Sequence, residues 1–394
     1  RNNKDVVYFT GNSLGLQPKS VTDHINIVLQ DWANLGVMGH HDEGRPWIPF
    51  HEQFAAPVAK IVGAKPDEVV VMNLLTVNLH LLLASFYRPT EERFKIICEA
   101  KAFPSDQYAL DSQVKLHGLN PDDTIIRVSP REGEFNLRQE DIVSTIQQHG
   151  SSVALVLFGG INYYSGQVFD IQGITAAAHE VGAYAGFDLA HAAGNIRLQL
   201  HDWNVDFACW CTYKYLNSSP GGIAGIYVHE KHATNTAFPR LAGWWGTNKE
   251  TRFQMKPEFE PIATAEGWQV SNQPILLLAA HKASVDIFEE AGMDALVEKS
   301  RKLTGFLFQI LDDINANQEQ QVIQVITPTD AHGCQVSMHM LERGREIFDA
   351  LMSEGVIGDW REPNVIRIAP VPLYNTFEDI WKFGDIISRI LKSN

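Results

Sequence analysis

The chain has 394 residues, is 45% hydrophobic and carries a net charge of −15, from 32 basic and 47 acidic residues, which suits two or three structural units of an enzyme. The absence of a basic run argues against nucleic-acid binding, and no apolar run reaches the roughly 18 residues that a membrane span needs. The four cysteines are too few and too scattered for a disulfide framework or a zinc site, so we expect reduced thiols, no metal and a cytoplasmic location.

The first 48 residues are predicted to form an N-terminal arm and a helix. Residues 1–16 have an extended pattern with the turn FTGNSLGL, and amphipathic spacing predicts helices over 18–35 and 49–62. The sequence opens with Arg1 rather than Met and shows no secretory signal pattern, so we expect that an N-terminal segment is missing.

Residues 49–270 are predicted to form a large α/β domain. Apolar runs without alternation predict strands, at 95–100, 124–130, 153–160 and 183–190. Amphipathic patterns predict helices, at 76–87, 104–117, 137–149 and 171–181. Buried strands separated by helices indicate a mainly parallel sheet that is covered on both faces. The segments FACWCTYKYL (207–216) and GIAGIYVHE (222–230) are expected to complete it.

Residues 271–394 are predicted to form a smaller α+β domain. Helical patterns cover 274–291, 293–312, 343–354 and 376–392, and strand patterns cover 321–328, 334–340 and 364–370. We place the domain boundary near residue 270, after an irregular stretch rich in Trp, Arg and Pro.

Lys214 and Asp188 are the strongest candidates for chemistry. Lys214 ends an apolar segment, where an amine is costly to bury unless it is used. Asp188 ends a predicted strand 26 residues earlier, at the sheet edge where ligands of open α/β folds collect. The pair suggests a Schiff base from Lys214 to pyridoxal 5′-phosphate (PLP), with Asp188 bound to the pyridine nitrogen. Taken alone, Lys214 could be an ordinary lysine whose amine extends to solvent. Taken alone, Asp188 could be the N-cap of the following helix.

Four further residues fit the same interpretation. Thr76 opens a predicted helix whose N-terminus suits a phosphate. Phe103 begins another helix and is expected to stack on a ring, whereas His191 and Tyr213 neighbour Asp188 and Lys214 in sequence. The alternatives are an ordinary helix cap for Thr76, a place in the core for Phe103 and Tyr213, and a structural role for His191.

The motifs and their order resemble those of the kynureninase family, fold-type I PLP enzymes of the aminotransferase superfamily. The resemblance runs from about residue 8 to the end, on YFTGNSLGL (8–16), LTVNLHLL (75–82), FPSDQYA (103–109), GGINYYSGQVFDI (159–171), DLAHAAGN (188–195), CTYKYLNSSPGG (211–222), GWWG (243–246), VSNQP (270–274) and RIAPVPLYNTF (367–377).

The resemblance implies hydrolysis of L-kynurenine, or of 3-hydroxykynurenine, to anthranilate or 3-hydroxyanthranilate and L-alanine. It also implies a homodimer with shared active sites. The cofactor-binding positions of the family map onto Leu75, Thr76, Phe103, Ser105, Asp106, Asp188, His191, Tyr213, Lys214, Trp244 and Asn272. Trp244 and Asn272 would come from the partner subunit. Thr247 stands where we expect His in animal members, which leaves the preferred substrate open.

The implied substrate contacts are Ser13, His40, Asn272 and Arg367. Arg367 lies in an apolar strand, where a guanidinium can clamp the α-carboxylate, with a surface arginine as the alternative. In the mechanism that we expect, Lys214 moves the α-proton and Tyr213 with the cofactor phosphate assists water. The small domain is expected to close over the site.

Three other functions remain open at this stage. Another fold-type I PLP enzyme, such as a cysteine desulfurase or a class V aminotransferase, shares the Asp–Lys pair, and Cys334 is the loop-flanked cysteine that a desulfurase would need. A non-catalytic regulator of the same fold would normally carry a DNA-binding appendage, which the sequence lacks. A doubly wound NAD enzyme is disfavoured because no GxGxxG follows a strand.

Overall fold

The computed structural model describes residues 5–392 as an α/β protein. Its strands are β1 (Val7–Tyr8), β2 (Val69–Val71), β3 (Lys95–Glu99), β4 (Ile125–Val128), β5 (Val153–Gly159), β6 (Tyr184–Asp188), β7 (Phe207–Cys211), β8 (Ala224–Val228), β9 (Ile323–Val325), β10 (Val336–Met340), β11 (Val356–Ile357), β12 (Asp359–Arg361) and β13 (Val365–Ile368).

The helices cover most of the remaining chain. The α-helices are α1 (Val21–Leu35), α2 (Ala55–Val62), α3 (Leu75–Phe86), α4 (Pro104–Leu116), α5 (Pro121–Thr124), α6 (Gln139–His149), α7 (Ile171–Glu180), α8 (Glu230–Ala233), α9 (Ile275–Ala291), α10 (Met293–Ala316), α11 (Gly344–Ser353) and α12 (Phe377–Lys392). Short 3-10 helices include Gly36–His41, Phe50–Phe54 and Trp244–Gly246. Over residues 5–392, no helix is both long and apolar enough to cross a membrane.

Seven strands form the central sheet, in the order β2-β8-β7-β6-β5-β3-β4. The five strands from β7 to β4 run parallel, whereas β8 is antiparallel to both β7 and β2. All residues of β7 and β8 are buried because helices and loops cover both faces. The mainly parallel sheet that the apolar runs predict is therefore confirmed. The sequence analysis missed β2, whose three residues are too few to show a period.

The C-terminal part forms a separate antiparallel sheet in the order β12-β13-β10-β9. Helices α10, α11 and α12 bury their apolar sides against it, as Leu307, Ile347 and Phe383 are all inaccessible to solvent or nearly so. This agrees with the smaller α+β unit expected from the sequence.

The N-terminal arm belongs structurally with this C-terminal unit. Strand β1 pairs in parallel with β11, with Val7 opposite Val356, and the Phe9 ring packs edge-on against Phe383 at 6.1 Å between ring centroids. Strand β1 is therefore part of the C-terminal unit, although the sequence analysis assigned residues 1–48 to a separate N-terminal segment.

The parallel strands β3, β5, β6 and β7 end at one edge of the central sheet. Gly159 and Asp188 are paired at the last positions of β5 and β6, and Glu99 is the last residue of β3. Helices α3 and α4 also begin beside this edge. Carboxylates, helix N-termini and the segment after β7 thus converge at the position where open α/β folds bind ligands.

Candidate functional site

A cavity opens at this sheet edge. Nine of the eleven predicted cofactor-binding residues line it, namely Leu75, Thr76, Phe103, Ser105, Asp106, Asp188, His191, Tyr213 and Lys214. Five further lining residues were not predicted, namely Glu99, Gly159, Ile161, Tyr163 and Ala190. The fold therefore gathers into one place residues that are up to 139 positions apart, from Leu75 to Lys214.

Lys214 points its amine at a neutral imidazole. Its Nζ lies 3.0 Å from His191 Nε2 and 5.8 Å from the centroid of the Phe103 ring. Burial, together with the charges of Lys214 and Arg367, holds the pKa of His191 well below its usual value. An unprotonated imidazole accepts a hydrogen bond from the lysine, so the amine is oriented without a counter-charge.

Asp188 and Asp106 form a carboxyl pair inside the cavity. Burial raises the pKa of both groups, and the charge of Asp188 and a hydrogen bond to it raise that of Asp106 further. Asp188 also accepts a hydrogen bond from the Ala190 amide at 2.7 Å. Two neighbouring carboxyl groups at this position are well suited to accept a hydrogen bond from a cationic N–H group.

Two hydroxyl groups meet at the beginnings of α3 and α4. Thr76 Oγ1 and Ser105 Oγ lie 2.8 Å apart, each in the first turn of its helix. First-turn amide groups have no partner within their helix, so two such turns side by side offer donors to an anion. Tyr213 lies half-buried on the same cavity, and burial raises the pKa of its phenol, which stays protonated at neutral pH.

Glu99 is the most important lining residue that the sequence analysis missed. It is 4% exposed, and burial raises its pKa to about 7 despite hydrogen bonds from Asn162 and the Gly159 backbone. Asn162 Nδ2 donates to Glu99 Oε2 at 2.8 Å. The signal was present in the sequence, since an acid that directly follows KIIC occupies the same strand-end position as Asp188.

Arg367 does not line the cavity but contacts a residue that does. It lies on β13, is 1% exposed, pairs with Asp359 and donates a hydrogen bond to the Tyr163 carbonyl. The alternative of a surface arginine is therefore wrong. The Tyr163 ring, 6.0 Å from the guanidinium carbon, lies between Arg367 and the Phe103 ring.

The other four predicted residues lie outside the cavity of their own chain. Ser13 is exposed in the turn after β1, and Asn272 is exposed just before α9. His40 is half-buried with its ring edge-on to Trp47, at 5.3 Å between ring centroids. Trp244 is 47% exposed in the 3-10 helix Trp244–Gly246.

The chain is similar in sequence to curated proteins named kynureninase. It is 57% identical to the protein of Flavobacterium psychrophilum, over 99% of this chain and 92% of that protein. It is 48% identical to the protein of Mus musculus, over 99% of this chain and 85% of that protein. A family model described as the kynureninase C-terminal domain matches residues 296–387.

Solved structures share the fold at much lower identity. A cysteine desulfurase of Thermococcus onnurineus superimposes with a TM-score of 0.80 at 17% identity, over 99% of this chain and 95% of that chain. A cystine C-S lyase in complex with cysteine persulfide superimposes with a TM-score of 0.82 at 15% identity, over 98% of both chains. The fold-type I architecture expected from the sequence is confirmed.

Proposed function

The chain belongs to the kynureninase family, and from this premise we propose that it hydrolyses L-kynurenine, or 3-hydroxykynurenine, to anthranilate or 3-hydroxyanthranilate and L-alanine. The observation that carries the proposal is the 57% identity over 99% of the chain to a curated kynureninase. The activity belongs to the kynurenine pathway of tryptophan catabolism, which feeds NAD biosynthesis. We further propose a cytoplasmic location.

The cavity fits PLP, the cofactor of this family. Asp106 Oδ1 and His191 Nδ1 are buried and have no partner among the described residues, so both atoms are free to bind a polar group that enters the cavity. The carboxyl pair suits a protonated pyridine nitrogen, and the Thr76 and Ser105 hydroxyls suit a phosphate. Phe103 offers an aromatic face, and Lys214 offers the amine that holds the aldehyde as a Schiff base.

When bound, the cofactor supplies a cationic conjugated ring that accepts the electron pair released at the substrate α-carbon. Lys214, once its amine is free, takes the proton from the α-carbon and later returns one, and His191 orients that amine. Asp188 would hold the proton on the ring nitrogen, because a buried carboxylate is stabilised by a cationic neighbour. Tyr213, protonated at neutral pH, would donate a hydrogen bond to the phosphate, and it would take up the proton of the water that attacks the γ-carbonyl while its own proton passes to a phosphate oxygen.

Arg367 is our candidate for binding the substrate α-carboxylate. Its guanidinium is buried beside the cavity-lining Tyr163, and over residues 5–392 it has one carboxylate partner, Asp359. A planar guanidinium binds a second carboxylate with its remaining N–H groups. His40 and Asn272 are our candidates for hydrogen bonds to the aryl amine or the carbonyl of the substrate, and Ser13 is our candidate for a further substrate contact.

We propose that the protein is a homodimer with shared active sites. Trp244 and Asn272 are exposed and do not line the cavity of their own chain, which suits a role in the partner's site. Large apolar side chains are also exposed on α3 and α4 near the cavity, as Val77 and Tyr108 are 47% and 71% accessible. Such side chains are typical of a covered interface.

A cysteine desulfurase is disfavoured by the state of Cys334. This cysteine is 1% exposed, hydrogen-bonds with Ser300, and burial raises the pKa of its thiol to about 12. A nucleophilic cysteine requires an accessible thiolate. Cys98, Cys209 and Cys211 are buried as well.

The test is turnover by the PLP-loaded protein. With L-kynurenine we expect anthranilate, followed by its fluorescence, and an equal amount of L-alanine. Parallel assays with 3-hydroxykynurenine measure the preference as a ratio of kcat/KM. L-cysteine serves as the rival substrate, and alanine from cysteine without anthranilate from kynurenine would overturn the proposal.

A further inference from the structure

Glu99 lies in the cavity but has no part in the chemistry proposed above. Its carboxylate is held between two donors, Asn162 Nδ2 and the backbone N–H of Gly159. A Cβ added to Gly159 would lie 3.1 Å from Glu99 Oε1, so the glycine makes room for the carboxylate. Asp106, Asp188 and Lys214 are the other charged groups on this cavity.

Asn162 builds the turn that follows β5. Its side-chain oxygen accepts hydrogen bonds from the backbone N–H groups of Tyr164 and Ser165, both at 2.9 Å. Because Nδ2 is bound to Glu99 and Oδ1 caps the turn, the amide cannot rotate without losing one set of contacts. Glu99 therefore fixes the orientation of residues 162–165.

The C-terminal unit contacts this turn beside the cavity. The Tyr163 carbonyl accepts hydrogen bonds from Arg367 and, at 3.0 Å, from Gln335 Nε2. The Tyr164 carbonyl accepts one from Ser337 Oγ at 2.7 Å. The position of the buried guanidinium is thus set by a carbonyl whose own position depends on Asn162.

We propose that Glu99 is a positioning residue that, through Asn162 and the Tyr163 carbonyl, holds the Arg367 guanidinium where it binds the substrate α-carboxylate. The inference rests on the proposed function, since it assumes an α-amino acid substrate. Glu99 itself touches no reacting atom. Its effect falls on substrate affinity, and the proton transfers at Lys214 proceed without it.

The first variant is Glu99→Gln, which keeps the size of the side chain but cannot accept from both donors. We expect the KM for L-kynurenine to rise about tenfold, the loss typical of one buried hydrogen bond, with kcat almost unchanged. Binding of kynurenamine, the analogue without a carboxylate, should stay as in the wild type when measured by calorimetry on the PLP-loaded protein.

The control is Glu68→Gln, since Glu68 is a fully buried glutamate that also accepts backbone hydrogen bonds, remote from the cavity lining. It should lower thermal stability and leave KM unchanged. Asn162→Asp breaks the same contact from the other side and should reproduce the KM effect even where Glu99→Gln folds poorly.

A double variant separates positioning from other effects. If Glu99 acts through Arg367, Glu99→Gln should add little to the KM increase of Arg367→Lys. The inference would be overturned if the KM increases of the two single variants multiplied in the double variant. It would also be overturned if Glu99→Gln lost as much affinity for kynurenamine as for kynurenine. Anthranilate formation by the wild type is measured separately. If the wild type forms no anthranilate, the proposed function fails, whereas the variants test only the positioning role of Glu99.

Discussion

The behaviour of Lys214 is set by the two groups nearest to its amine. The neutral His191 imidazole 3.0 Å away accepts a hydrogen bond, and the Phe103 ring shields one side. Neither neighbour neutralises the amine as a carboxylate would. The lysine is therefore directed into the cavity and left able to react.

Replacing Lys214 with alanine should abolish turnover, a loss of at least about a thousandfold, because the group that moves the α-proton is gone. Borohydride treatment followed by mass spectrometry should find PLP attached to the wild type at residue 214 and to no residue of the variant. Retained turnover in Lys214→Ala would remove this residue from the mechanism.

Replacing Asp188 with asparagine should weaken PLP binding and slow turnover by about a hundredfold, because an amide cannot hold a proton on the pyridine nitrogen by charge. The measurements are the PLP dissociation constant and kcat. Asp206→Asn is the control, since Asp206 is also buried, but its partners are His179, Lys231 and His232. Normal kinetics in Asp188→Asn would place the ring nitrogen elsewhere.

At the scale of elements, the sequence predicted most of the strands and helices that carry the site residues. Between β3 and α9, the starts of the predicted strands and of helices α4, α6, α7 and α9 agree with the structure to within about two residues, because buried strands and amphipathic helices have distinct periods. The four-residue helices α5 and α8 were not predicted. The sequence did not reveal the Glu99–Asn162 contact, since the two residues lie 63 positions apart and the pattern around each of them does not show its partner. It also missed the pairing of β1 with β11, two short strands from opposite ends of the chain.

Helix α9 contains a buried histidine that makes stability depend on pH. His281 is inaccessible to solvent, stacks on Phe54 at 5.2 Å between ring centroids, and has no hydrogen-bond partner among the described residues. Burial lowers its pKa from 6.5 to about 3. The unfolded chain therefore binds a proton at this residue below pH 6.5 that the folded chain does not bind, so its contribution to stability falls as the pH drops from 6.5 towards 3.

Replacing His281 with leucine, an apolar side chain of similar size, should remove this acid sensitivity. The quantity to compare is the free energy of unfolding of the variant minus that of the wild type. This difference should be about 2 kcal/mol larger at pH 5 than at pH 8. Urea unfolding of both proteins at the two pH values measures the change. An equal difference at both values would show that the histidine stays neutral in the unfolded chain or is charged in the folded one.

At the scale of the whole molecule, the cavity and the C-terminal unit are in contact. Asp188 ends strand β6 and Lys214 follows strand β7, whereas Arg367 of the C-terminal unit reaches the cavity only through the carbonyl of the lining residue Tyr163. The β1 strand further ties the N-terminus to the C-terminal unit. Closure of that unit over a substrate would therefore move the guanidinium and the arm together.

The proposed shared site predicts complementation between two inactive variants. Lys214→Ala lacks the lysine in its own cavity, and Trp244→Ala lacks the residue that we assign to the partner's cavity. A mixed dimer would contain one cavity with both residues and one with neither. After unfolding and refolding an equal mixture, half the dimers should be mixed, so activity should return to about a quarter of wild type.

The matched control mixes Lys214→Ala with Asp188→Asn, whose altered residues line the same cavity of one chain. No mixed dimer then has an intact site, so the activity should not exceed the average of the two parents. Light scattering during both refolding experiments measures the mass of the assembly. Failure of the Lys214→Ala and Trp244→Ala mixture to regain activity, with dimers present, would assign Trp244 to the site of its own chain or to none.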